Sequence, residues 1–397
     1  MVILFLTSGL EPGKDGVGDY TRQMAAECIR QKHSCYLLAL NDAYVSYPVE
    51  STDFVDGIPI LILRLPSCMA WQERVRLAVE FRARWPIDWI SLQFVCYGFN
   101  RRGVVWNMAR YFKPIVAGNP LHIMFHETWI GVEKSPSVKE FIVGRIQRFY
   151  IHKLLSQLKP RLVTTSNLFY ASLLQGIGID AIETPLFGNI PVFPPETELH
   201  IPEALSRAGV CDAQGLHPGR RIGLFFGAIH PGSKVENFMG ILASAPKKTG
   251  YRGCLISAGR KGHIGEAIWK KLENEYGHII DFISLGECTP RQIATLMQIA
   301  DFGLISTPWH LIGKSSSTTT MFDHGLPVIV TNDDFQPVVA SARPDDPLLH
   351  RCDASLEAKL WAGFTRRPAR HRVGDAVESW IGQLMKSASS EAIKGKF

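Results

Sequence analysis

Phe302-Gly-Leu-Ile-Ser306-Thr-Pro-Trp-His-Leu-Ile-Gly313-Lys314-Ser315-Ser316-Ser317-Thr318-Thr-Thr-Met-Phe-Asp-His-Gly325-Leu-Pro327-Val-Ile-Val-Thr331 carries the reading on which the fold turns. A short apolar run gives way to a polar loop, then to a segment of helical length, then to a second apolar run after Gly-Leu-Pro. Two strands joined by a crossover helix form a βαβ unit, and such a unit implies parallel strands with helices on their faces.

The same alternation extends in both directions. Upstream in the second half, strands are expected at Ile222 to Phe226, Cys254 to Ser257, Asp281 to Leu285 and Phe302 to Ser306, with Pro327 to Thr331 closing the series. In the first half they are expected at Val2 to Leu6, Cys35 to Leu40, Pro59 to Leu65, Trp89 to Val95, His122 to His126 and Leu162 to Thr165. Helical stripes lie between them: Tyr20, Met24, Cys28 and Ile29 form one, and Val138, Phe141, Ile142, Ile146, Phe149, Tyr150 and Leu154 another. Both are expected to cover the sheet. Six of the 24 prolines fall between Pro185 and Arg220, where no periodic pattern survives, as in a domain linker. The expected organisation is an α/β protein with two doubly wound, Rossmann-like domains. Residues 1–185 form the first, 186–220 the linker, 221–371 the second, and 372–397 a C-terminal helix with a frayed tail after Met385. Two such sheets are expected to face a central cleft, where the carboxyl ends of the strands gather ligands.

The chain of 397 residues is 46% hydrophobic and 20% charged, with a net charge of +6 spread along its length. That excludes disordered and fibrous classes and leaves no basic footprint for nucleic acid. The eight cysteines stand apart without zinc-type spacing and read as reduced thiols. The N-terminus lacks a basic stretch before its short apolar run, and no later run reaches a membrane span, so a cytoplasmic protein is expected.

Four motifs sit where ligands of such sheets bind. The glycine-rich loop Thr7 to Thr21 carries Gly13, Gly16 and Gly18 ahead of a helix expected to begin near Asp19, a place for a phosphate or sugar. Its spacing is not that of a dinucleotide fold, and no acid is expected at the end of the Cys35 to Leu40 strand to hold a ribose. His126-Glu127 closes an apolar strand, where a histidine could hydrogen-bond or exchange a proton with a bound group. Gly227 to Lys234 puts a lysine beside a helix start, suited to a leaving diphosphate. Gly313 to Thr318 brings a lysine, hydroxyls and backbone amides to a helix N-terminus. It looks like a Walker A loop but has Pro308 where the earlier glycine is needed.

On these motifs the chain resembles the glycosyltransferases of the two-Rossmann-domain type (GT-B), and within them the retaining family 4 group. Gly16-Val-Gly18-Asp-Tyr-Thr matches that group's N-terminal glycine loop, and His126 followed by an acid matches its strand-end pair. Gly227 and Lys234 match Gly-Arg-x5-Lys, with Ala228 at the arginine. Aligning Gly325-Leu-Pro-Val with the family's Gly-x-Pro-Val places its paired glutamates at Ile312 and Thr320, so both carboxylates are missing. The resemblance implies a metal-independent, retaining transfer of a sugar from a nucleoside-diphosphate sugar to a glycan, lipid-linked or small-molecule acceptor. It implies His126, Lys234 and Lys314 as catalytic residues, Lys314 replacing the missing arginine. Gly16, Gly18, Asp19, Gly227, Lys234, Gly313, Lys314, Ser315, Ser316, Ser317 and Thr318 would bind the donor, with no metal ligand and no cofactor. Epimerisation or hydrolysis of the same donor, and silent binding, are the competing readings.

Asp42 to Asp56 and Pro66 to Arg74, with Tyr44, Tyr47 and Trp71, are the loops expected to read the acceptor. Lys139, Arg145, Arg148, Lys153, Lys159 and Arg161 accompany one apolar-striped helix and Arg74, Arg76, Arg82 and Arg84 another, which raises peripheral contact with an anionic membrane. The expectation is that both basic sets are solvated faces.

Overall fold

The structure is a computed structural model that describes residues 1–194, 200–212, 215–216, 219–230, 235–244, 250–332, 334–340 and 345–394. It separates into two compact units, one built from residues 1–186 together with 336–340 and the C-terminal helix, the other from residues 187–335 and 345–372.

In the first unit the strands are β1 (Val2–Thr7), β2 (Ser34–Asp42), β3 (Val49–Val55), β4 (Ile58–Pro66), β5 (Trp89–Phe94), β6 (Leu121–Phe125), β7 (Leu162–Thr165) and β8 (Ile182–Glu183). They form one sheet in the order β3-β4-β2-β1-β5-β6-β7-β8, parallel except for β3 against β4. The order reverses between β1 and β5, so the loops after those two strands diverge to opposite faces and open a crevice at their carboxyl ends.

In the second unit a small hairpin, β9 (Cys211–Asp212) and β10 (Gly215–Leu216), precedes β11 (Arg220–Phe226), β12 (Arg252–Ala258), β13 (Asp281–Gly286), β14 (Phe302–Ile305), β15 (Val328–Val330) and β16 (Leu349–Arg351). These six make a parallel sheet in the order β13-β12-β11-β14-β15-β16, whose switch point lies between β11 and β14. Alternate residues serve opposite faces. Ile222, Leu224, Cys254, Ile256, Val328 and Val330 join one core cluster, while Phe225, Leu255, Phe302, Leu304 and Ile329 join the other. The fold is the expected α/β class with two doubly wound parallel sheets.

Several elements differ from the expectation. Val49–Val55 is an edge strand paired antiparallel with β4, and it occupies much of the stretch expected as an acceptor loop. Trp71 stacks on Tyr111 at 5.1 Å and holds the Arg74 guanidinium at 4.1 Å, a packing role; Tyr44 and Tyr47 are exposed. The helix Val138–Leu158 buries only the end of the stripe assigned to the sheet: Val138, Phe141, Ile142, Ile146 and Phe149 are exposed, Tyr150 is half-buried, and Leu154 is buried alongside Gly144, Gln147, Ile151 and Leu155. The C-terminal helix runs from Val373 to Lys394, well past Met385. It packs on the first sheet, where Trp380 stacks on Phe5 with ring centroids 5.6 Å apart.

Trp380 is fully buried. Trp380→Ala leaves a cavity against Phe5 and is expected to cost about 3–5 kcal/mol in urea unfolding of the first unit, the range for buried aromatic truncations.

Candidate functional site

The switch point of the second sheet gathers most of the residues singled out in that half. After β11 the chain turns at Gly227, whose φ of +89° suits only glycine. A side chain there would also approach Ser317 Oγ to 2.9 Å, so the β11 loop and the start of the helix Ser316–Asp323 touch. The His230 amide donates to Ser306 Oγ at 2.8 Å, tying the β11 loop to the residue after β14. The His230 imidazole is held below its ordinary value by burial and by the Lys314 charge. His230 lies inside the Gly227 to Lys234 motif, where the sequence drew attention to the glycine and the lysine and not to the histidine.

Gly313 and Lys314 close a single 3-10 turn, Trp309–Lys314, ahead of the helix. Ser315 is the N-cap. Its hydroxyl accepts from the Thr318 amide at 3.2 Å and from the Thr318 hydroxyl at 2.8 Å. Ser315 and Thr318 are therefore engaged with each other, and the amides of Ser316 and Ser317 are the helix-end donors that a ligand would meet. Lys234 lies outside the described residues. Ile312 is buried in a core cluster, and the buried Thr320 hydroxyl accepts from the Asn189 amide at 3.1 Å.

The glycine loop of the first unit is built differently from its sequence reading. The helix begins at Gly16, one turn before Asp19, with Asp15 as its N-cap accepting from the Val17 amide at 3.0 Å. Gly16 and Gly18 are helical. Gly18 is needed because a side chain would press into the Gly9 carbonyl, at 2.7 Å. Asp19 turns back to accept from the Gly13 amide at 2.9 Å. The end of β2 extends to Asp42, so a carboxylate does stand at that strand end, but it is fully buried and engaged with the Leu10 amide at 3.0 Å and Arg64 Nε at 2.8 Å. Burial raises Asp15 and Asp19 above the usual carboxylate range, and Asp42 adds to the rise at Asp15. The chain's own Asp15 carboxylate caps the helix end at Gly16, and Asp19 is bonded to the Gly13 amide.

His126 stands just past β6. Its Nε2 lies 2.9 Å from Gln93 Oε1, and the Gln93 amide nitrogen donates to Ser91 Oγ at 2.8 Å. A carbonyl oxygen only accepts, so His126 carries its proton on Nε2 and keeps Nδ1 as an acceptor. The line continues from Ser91 Oγ to His122 Nδ1 at 2.9 Å and from His122 Nε2 to Thr164 Oγ1 at 2.8 Å. Burial pushes His122 down to about 3 and lowers His126 similarly, so both rings are neutral at ordinary pH. Tyr20 packs edge-on to His126 at 4.9 Å. Nearby, the buried hydroxyls of Thr128 and Ser166 have no hydrogen-bond partner among the described residues.

No family model matches the chain, and no curated protein does. Solved structures do. The catalytic domain of starch synthase IV from Arabidopsis thaliana, bound to ADP and acarbose, matches at 12% identity with a TM-score of 0.56 over 98% of this chain and 99% of that one. The fold is GT-B. Anabaena Alr3699/HepE in complex with UDP and glucose matches at 14% identity and a TM-score of 0.55, over 98% and 100% of the two chains. The UDP-GlcNAc 2-epimerase of Neisseria meningitidis, bound to UDP-GlcNAc, matches at 10% and 0.51, over 97% and 100%.

Two outcomes are expected. The His122 ring should show no NMR titration above pH 5. Because its folded pKa is depressed, the unfolded chain takes up the proton first as pH falls below about 6.5, and His122 should contribute a loss of about 1.4 kcal/mol of stability per pH unit there. Asp15→Asn keeps the cap without the buried charge and should leave the urea midpoint unchanged or higher, whereas Asp15→Ala should lose about 1 kcal/mol.

Proposed function

We propose that this chain is a glycosyltransferase that uses a nucleoside-diphosphate sugar as donor. The observation that carries the reading is the meeting, at one switch point, of the Gly227 turn, the helix end at Ser316 and Ser317, and Lys314. A positive-φ glycine lets backbone come close to a ligand, two helix-end amides point at it, and a lysine supplies the charge; together these make a site for a diphosphate. ADP, UDP or a UDP-sugar in the solved relatives of the same fold supports a nucleotide donor here.

The reaction breaks the bond between the sugar's anomeric carbon and the diphosphate oxygen. Negative charge grows on the leaving phosphate as the sugar gains oxocarbenium character. Lys314 and the Ser316 and Ser317 amides are strongest toward that developing charge, so they lower the barrier rather than only tightening the ground state. Lys234 is assigned the same task from its sequence position. The reading calls for no metal. In the first unit, neutral His126 serves through Nδ1, accepting a hydrogen bond from a sugar hydroxyl. An acid–base role through the imidazolium does not fit a ring held neutral by burial.

Calorimetry against UDP, GDP, ADP, CMP, dTDP and their common sugar conjugates tests the reading. One nucleoside diphosphate should bind, and Lys314→Ala should weaken it about tenfold or more, the worth of a charge-assisted hydrogen bond. Release of free sugar or epimerised donor in the absence of any acceptor would point to a hydrolase or epimerase of this fold, and binding without any turnover to a silent relative. No binding to any nucleotide overturns the proposal.

A further inference from the structure

Of the two helices with crowded basic residues, one has spent its charges internally. Arg74 is buried and donates to the carbonyls of Leu40, Ser67 and Met69; Arg76 pairs with Glu73 and Glu80, and Arg84 with Glu50. Arg82 bonds the Asn119 side chain.

On the helix Val138–Leu158 Arg148 donates to the Gly176 carbonyl at 3.1 Å, while Lys139 and Arg145 stay exposed. The rotation of this helix is fixed from below. Gly144 is pressed against the Ile130 carbonyl, and Gln147 Oε1 accepts from the Ile130 amide at 3.0 Å. That orientation turns Val138, 77% exposed, Phe141, Ile142, Ile146 and Phe149, 61% exposed, to solvent. At 100° per residue these five span one continuous arc, and at 1.5 Å per residue they cover about 16 Å of helix. Arg145 lies within the arc, and Lys139 and Arg148 flank it. Glu140 is the helix's one acidic residue, and its carboxylate is folded back on Ser137 in a capping box.

We propose that this helix face docks lengthwise on an anionic lipid surface. An apolar arc rimmed by cations and free of acids fits acyl chains beneath anionic headgroups. A second copy of the chain fits poorly, since a two-fold contact would set Arg145 of each copy against like charge. Among the described residues no helix is long and apolar enough to cross a membrane, so the contact is one of lying on the surface. The inference is independent of the nucleotide site.

Sedimentation with vesicles tests it. The whole chain should pellet with phosphatidylcholine vesicles containing phosphatidylglycerol, much less with phosphatidylcholine alone, and less at high salt. Phe141→Ser with Phe149→Ser, and separately Lys139→Glu with Arg145→Glu, should each weaken binding to the anionic vesicles about tenfold or more. All four residues are exposed, and unchanged circular dichroism and nucleotide-independent melting would verify folding. Absence of wild-type binding to anionic vesicles, or binding untouched by both double variants, overturns the proposal. So does a dimer that Phe141→Ser with Phe149→Ser converts to monomer in a chain that ignores vesicles.

Discussion

The helix Ser316–Asp323 is fixed at both ends, and the proposed chemistry of the second unit depends on that. At its start Ser315 caps the first turn and Ser317 meets the Gly227 backbone. At its end the fully buried Asp323 carboxylate accepts from the Gly188 amide at 2.9 Å and from Arg372 Nε at 2.6 Å. A buried carboxylate is tolerated only when so partnered, and leaving it alone would cost several kcal/mol. The two segments that enter and leave the second unit, near residues 188 and 372, are thus clamped to the helix whose other end offers its amides to a ligand. Arg366 reinforces the arrangement by donating to four carbonyls, those of Met297, Gln298, Ala300 and His324.

Strands were legible in the sequence wherever both faces of the sheet are covered, because continuous apolar runs such as Ile222 to Phe226 have no other stable place. Val49–Val55 was not, since an edge strand exposed on alternate residues reads as a polar loop. The start of the first helix was hidden by Gly16 and Gly18, which signal a loop, although Gly18 is required there by close packing on Gly9. Periodicity at Val138 to Phe149 identified a helix but not the direction of its apolar face; Gly144 and Gln147, the residues that set the direction, carry no hydrophobic signal. The switch-point residues Gly227, Lys314 and Ser317 were visible as glycine, lysine and serine after strands, while His230 and the Gln93 line behind His126 depend on contacts far apart in sequence.

The two glycine-bearing loops also separate by charge. Around Gly16, Asp15, Asp19 and Asp42 make the turn acidic and self-satisfied; around Gly227, Lys314 leaves the turn cationic. Loops of similar appearance in the sequence therefore differ in charge, and what tells them apart is whether a carboxylate of the chain already sits at the helix end.

The C-terminal helix gives the first unit a dependence on the order of synthesis. Phe5 and His122 are made early, but their cover, Trp380, emerges only after the entire second unit. Until then the sheet exposes an aromatic surface and an unfinished polar line, so the first domain to leave the ribosome is the last to complete its core. The growing chain therefore carries an open hydrophobic face for the whole time the second unit is being made, a natural point for chaperone engagement.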